Sequence, residues 1–160
     1  MIGLMSDSHD NVLAIRRAVQ IFNQSSCDLV LHAGDFIAPF SVKEIKKLSC
    51  PVKAVFGNCD GEKKGLMKAF QSVGEIKEAP FVFGHQDKRI LLTHLDSPVE
   101  SYLSSGEYDV IVYGHIHKPQ VQKKGKTLVV NPGETGGWVS GKSTVALLDT
   151  QKFTAEIVSF

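Results

Sequence analysis

MIGLMSDSHD (residues 1–10) begins with a short apolar run, Ile2 to Met5, that stops at Ser6 and Asp7. The period then changes. Val12, Ile15, Val19 and Phe22 recur at helical spacing and predict one apolar helix face, with Asp10 or Asn11 as its cap. A second apolar run, Leu29 to Leu31, stops at Gly34 and Asp35, and a third, Val52 to Phe56, stops at Gly57 and Asn58. Between them, Ser41 and Glu44 have capping-box spacing, and Phe40 with Ile45 that of a hydrophobic staple. A second helix is expected to start there. Strand, loop, helix, strand is the rhythm of right-handed βαβ units and predicts a parallel sheet.

From residue 81 the apolar runs carry less helix between them: Phe81 to Phe83, Ile90 to Thr93, Val110 to Tyr113 and Leu128 to Val130. Val145 to Leu148 and Ala155 to Val158 close the chain as a hairpin around Asp149 to Lys152, and Val121 and Leu128 flank another turned at Lys124 and Gly125. The expectation is an α/β chain forming one domain over residues 1–160, with two packed β-sheets and helices outside. Eighteen Lys and Arg against 17 Asp and Glu leave a net charge of +1, which gives no electrostatic case for non-specific nucleic-acid or membrane binding. The first residues lack the basic start of a signal peptide, and Cys27, Cys50 and Cys59 are irregularly spaced, as in a reducing compartment. A cytoplasmic location is the simplest expectation.

The residues that carry chemistry fall at the C-terminal ends of predicted strands, the edge where open α/β sheets bind ligands. Asp7-Ser8-His9, Gly34-Asp35, Gly57-Asn58-Cys59-Asp60, Thr93-His94 and Gly114-His115-Ile116-His117 each close one strand. In an extended segment residues two apart point the same way, so Asp7 with His9, and His115 with His117, are expected to face one ion. Any one of these residues alone is more often a cap or a hydrogen-bonded core group than a ligand. Five such strand ends in one chain point to a metal centre. Asp7, His9, Asp35, Asn58, His94, His115 and His117 supply three oxygen donors and four imidazoles. That set exceeds the four ligands of a structural zinc site and suits two ions about 3.5–4 Å apart. Mixed imidazole and carboxylate ligation favours Mn²⁺, Fe, Ni²⁺ or Zn²⁺ over Ca²⁺ or Mg²⁺.

These five blocks look like the signature of the calcineurin-like metallophosphoesterases. The compact length, the Gly57-Asn58-Cys59-Asp60 block and the Asn131-Pro132-Gly133-Glu134 loop resemble its small prokaryotic YfcE-like phosphodiesterase branch. The resemblance implies a four-layer αββα sandwich and a phosphodiesterase using two divalent transition-metal ions per chain, Mn²⁺ foremost. It places one ion on Asp7, His9, Asp35 and His117 and the other on Asp35, Asn58, His94 and His115, with Asp35 as the bridge. A hydroxide held between the ions would attack phosphorus in line with the leaving oxygen. Asp35, Asn58 and His94 are then the catalytic residues, with Cys59 and Glu134 in the substrate-binding wall. The implied substrate is a small phosphate ester, and homo-oligomerisation is left open.

Two departures from the family pattern matter. Most members carry a His, a candidate general acid, directly after the metal-binding Asn, and Cys59 stands there instead. A thiol is a poor acid for an alkoxide near pH 7, so diesters with acidic, aryl-type leaving groups are expected to turn over better than alkyl ones. Leu95 follows His94, where the family usually has Gly. Elsewhere, His32 is expected as a satisfied, half-buried residue, His85 as surface, Trp138 as packed and Asp60 in a turn or cap. Thr135 to Gly141 is expected to shape substrate choice. Two rival functions stay open. Against a phosphomonoesterase or nucleotide hydrolase stands the absence of any Arg from the motifs. Against a non-catalytic scaffold like the retromer subunit stands the completeness of the ligand set.

Overall fold

The computed structural model describes residues Met1–Phe160. The first half alternates β1 (Ile2–Met5), α1 (Val12–Gln24), β2 (Leu29–His32), α2 (Val42–Ile45), β3 (Val52–Val55), α3 (Lys63–Phe70) and β4 (Gly74–Lys77). The second is mostly strand: β5 (Phe81–His85), β6 (Lys88–Leu92), α4 (Val99–Ser105), β7 (Val110–Val112), β8 (Gln120–Lys124), β9 (Thr127–Asn131), β10 (Thr144–Asp149) and β11 (Thr154–Ser159). One six-stranded sheet has the order β11-β10-β1-β2-β3-β4, parallel from β1 to β4. The C-terminal hairpin adds β10 antiparallel to β1. The five-stranded sheet has the order β5-β6-β7-β9-β8, with β6, β7 and β9 parallel and an antiparallel strand at each edge.

Side-chain alternation along the strands separates three apolar layers. Ile2, Leu4, Leu29 and Leu31 meet Ile90, Leu92, Val110 and Val130 between the sheets. Behind the first sheet, Met5, Val30 and Val52 receive Ile15, Val19 and Phe22 of α1, Ile45 of α2, and Leu66 and Phe70 of α3. Behind the second, Leu91, Ile111 and Val129 are covered by Val99 and Leu103 of α4. Helix, sheet, sheet, helix is the expected αββα sandwich. Gly3 makes room for one of its largest core groups, since a Cβ there would stand 2.5 Å from the Phe22 ring.

The capping box expected at Ser41 does not form. Pro39 opens a 3₁₀ turn over Pro39–Ser41, Ser41 is already helical at φ −63° and ψ −28°, and its hydroxyl donates back to the Ala38 carbonyl. Glu44 turns to Arg16 and Lys47 instead, and Phe40 is half exposed. What remains of the second helix is a single turn held by Val42 and Ile45. α3, β4 and α4 go beyond the predicted elements; each is short, and β4 buries only Ile76.

Candidate metal centre

Loops leaving β1, β2 and β3 of one sheet and β6 and β7 of the other meet at one edge. They carry Asp7, Asp35, Asn58, His94 and the pair His115 and His117. Their backbone corrects the expectation of extended segments. Asp7 (φ 52°), His9 (40°), Asp35 (61°), His115 (69°) and His117 (56°) are all left-handed. Side chains two apart converge because the chain coils, not because a strand alternates. Each such residue costs on the order of 1–3 kcal/mol, so its surroundings must hold it. Asp7 and His9 amides donate to the carbonyls of Gly34 and Asp35. Asp60, 3% exposed, accepts from the amides of Asp35, Phe36, Ile37 and Gly57. One carboxylate therefore fastens the loop after β2 to the loop after β3, a role far larger than the turn expected of it.

Two groups of donors face each other across Asp35. In the first, His117 Nε2 lies 3.3 Å from Asp7 Oδ1 and 3.4 Å from His9 Nε2, while His9 Nε2 lies 3.8 Å from Asp35 Oδ2. In the second, His94 Nε2 lies 2.8 Å from Asn58 Oδ1 and 3.5 Å from Asp35 Oδ2. His115 joins this side, its ring 5.2 Å from that of His94, and its amide donates to Asp7 Oδ2 at 3.1 Å. His94 Nδ1 meets the Ala33 carbonyl at 2.8 Å, and a carbonyl only accepts, so Nδ1 donates there and Nε2 is the ring atom turned toward Asn58 and Asp35.

The charge balance is equally one-sided. Asp7 and Asp35 are 0% and 2% exposed, and no Lys or Arg pairs with either carboxylate. Asp7 Oδ1 has no hydrogen-bond partner, although burying such an oxygen unpaired costs several kcal/mol. Burial pushes the Asp7 carboxyl above the ordinary carboxylate range despite the Ser6 hydroxyl and the His94 and His117 rings. An orphaned oxygen, converging lone pairs and uncompensated buried carboxylates all fit divalent cations. His9 and His117 retain 19% and 18% side-chain exposure, so the donor groups open to solvent above the buried carboxylates.

Other sequence expectations divide. Cys59 is exposed beside Asn58, its amide donating to Asp35 Oδ1 at 2.8 Å. Burial and then the Asp35 carboxylate push its thiol up to about 11. Glu134 does not line the opening. It is fully buried behind His117, 3.4 Å from Nδ1, and accepts from the amides of Val139 and Ser140. Burial opposes its ionisation, but the Ser140 and Val139 hydrogen bonds and the His117 ring outweigh it and hold the carboxyl below the ordinary range. His32 is satisfied, as expected, but fully buried: Nε2 faces the Ser8 hydroxyl, Nδ1 accepts from the Gly34 amide, and the ring stacks on Phe36. Burial drives its pKa well down, with the His94 and His9 rings adding to the effect. His85 ends β5, 23% exposed and 3.6 Å from Asp28, which precedes β2. Trp138 is not packed. Its indole N–H donates to the His9 carbonyl, and the residue is 67% exposed.

The sequence profile of the calcineurin-like phosphoesterase superfamily domain matches residues 1–152. The phosphodiesterase MJ0936 of Methanocaldococcus jannaschii is 37% identical over 155 residues, which cover 94% of this chain and 93% of that one. The phosphodiesterase YfcE of Escherichia coli is 30% identical over 150 residues, 83% of this chain and 79% of its own. Among solved structures, a novel archaeal phosphodiesterase superposes with a TM-score of 0.95 at 35% identity, covering 99% of both chains. Vps29 of Chaetomium thermophilum shares the fold, with a TM-score of 0.71 at 16% identity over 99% of this chain and 95% of that one.

Proposed function

This chain belongs to the calcineurin-like phosphoesterase superfamily, and on that footing we propose that it is a phosphodiesterase working with two divalent cations, Mn²⁺ foremost. Asp7, His9, Asp35 and His117 would hold one ion and Asp35, Asn58, His94 and His115 the other. The observation that carries this reading is the pair of buried carboxylates without Lys or Arg, set among converging lone pairs. When bound, the cations would acidify water and neutralise charge on the phosphoryl oxygens.

The chain's own residues do the rest. Asp35 stands between the two donor groups, fixed through Oδ1 by the Cys59 amide. His94 is oriented by the Ala33 carbonyl, and Glu134 sits behind His117 as an orienting carboxylate, a device that ligating imidazoles commonly use. Cys59 stays protonated near neutral pH and is a weak acid, so the leaving oxygen departs with little help from it. Aryl diesters are therefore the better substrates.

Asp35→Asn should abolish hydrolysis of a chromogenic aryl phosphodiester and leave the far-ultraviolet circular dichroism unchanged. Undiminished turnover in that variant rules out the assignment. A wild type that binds Mn²⁺ tightly but hydrolyses no ester would instead mark a non-catalytic scaffold.

A further inference from the structure

Beside the candidate metal centre, on the side of Asn58 and His94, the surface opens into a cavity of about 330 Å³. Those two residues line it together with Phe56, Leu95, Pro98 and Tyr102. Glu78 is the only acid at its edge, and Lys63 lies 2.9 Å from that carboxylate and 5.1 Å from the centre of the Phe56 ring. The lining is therefore mixed: apolar and aromatic walls share it with Asn58, Thr93 and His94, and its one acid is paired with Lys63. It starts where the phosphoryl group would sit, as substrate pockets with a few polar groups at one end do.

Leu95 gives the cavity its sharpest feature. The residue directly after a buried donor is a large aliphatic side chain left 42% exposed, so a ligand surface that covers it gains apolar burial.

We propose that this cavity is the leaving-group subsite and that it receives an uncharged aromatic ester substituent, with Leu95 as its specificity-determining residue. The proposal rests on the phosphodiesterase reading above. In the step it serves, water's oxygen bonds to phosphorus and its proton passes to solvent. The bond to the aryl oxygen breaks with its electron pair on that oxygen, and an aryloxide needs no protonation to leave. The walls would hold the ring in line for that departure.

The test uses the full chain loaded with Mn²⁺, with bis(4-nitrophenyl) phosphate as substrate and phenylphosphonate and methylphosphonate as competing ligands. Leu95→Gly and Leu95→Ser, at a position exposed enough to be changed without unfolding the chain, should each raise KM about tenfold and kcat less. The inhibition constant of phenylphosphonate should rise by the same factor, and that of methylphosphonate should change less. Tyr102→Leu should move the same ratio in the same direction. Unchanged KM, or an equal loss for both phosphonates, overturns the subsite. A wild type that hydrolyses no diester sinks the phosphodiesterase reading instead. The preference for phenyl- over methylphosphonate, read by calorimetry on wild type and Leu95→Gly, then still decides what the cavity binds.

Discussion

A Cβ on Gly57 would stand 2.1 Å from Asp35 Oδ1, and one on Gly34, itself at φ +98°, would stand 2.7 Å from His94 Nδ1. These two glycines are the seats of the donors that follow or face them. Gly57→Ala should push the Asp35 carboxylate aside, weakening Mn²⁺ binding and lowering turnover roughly 10- to 100-fold, the usual effect of losing a group that orients a ligand. Calorimetric titration and steady-state rates check this, and parental values for both would contradict it. At this scale the sequence was partly legible. Glycine before Asp35 and before Asn58 announces close backbone approach. The left-handed backbone of the donors was not legible, because those φ values are imposed by hydrogen bonds to other loops. Nor was the reach of Asp60, since nothing local says that one carboxylate will collect amides from two loops.

The elements follow local pattern only where nothing nearby competes. α1 keeps its apolar face and its cap, with Asn11 accepting from the Ala14 amide, because both are written within one stretch of chain. α2 loses its capping box because a better partner lies across the fold. Arg16 of α1 holds Glu44 by two hydrogen bonds of 3.2 Å, and Lys47 adds a third of 2.7 Å. Hydrogen bonds from Arg16 and then Lys47 hold the Glu44 carboxyl at about 2, below its ordinary 4.5. A folded-state pKa below the unfolded one means that the tie stabilises above about 4.5 and fades as pH falls toward 2. Glu44→Gln should therefore be less stable than the parent at neutral pH, by a small margin because Arg16 and Lys47 are half exposed. The margin should close through that acid window. Urea unfolding at stepped pH measures it, and a gap that persists at pH 2 contradicts the assignment.

At the scale of the whole molecule, the site is a seam. Asp7, Asp35 and Asn58 follow strands of one sheet and His94, His115 and His117 strands of the other, so an ion bound as proposed would fasten the two sheets at one edge. Two buried carboxylates without a compensating cation weaken that edge in the metal-free chain. Mn²⁺ at about 100 times its dissociation constant should add roughly 2.7 kcal/mol, which for a chain of this size raises Tm by about 5–10 °C. Removal by a chelator should reverse the shift, and Asp7→Asn should show much less of it. Identical melting with and without metal, in calorimetry on the full chain, would overturn this linkage.

The parallel βαβ entry and the two-sheet sandwich were legible in the chain taken alone, as were the seven candidate donors that the proposed function assigns to the cations, because apolar period and side-chain chemistry are local properties of the chain. How those side chains come together emerged only from the folded chain: through coiled loops rather than straight strand ends, with Asp60 buried between two of those loops, Glu134 buried behind His117 and Trp138 turned out to solvent. The physical reason is the pairing of strands distant in sequence. Register between β1, β2 and β3, and the stacking of β6 and β7 across them, place one loop's amides against another loop's carboxylate, and no segment taken alone contains that information.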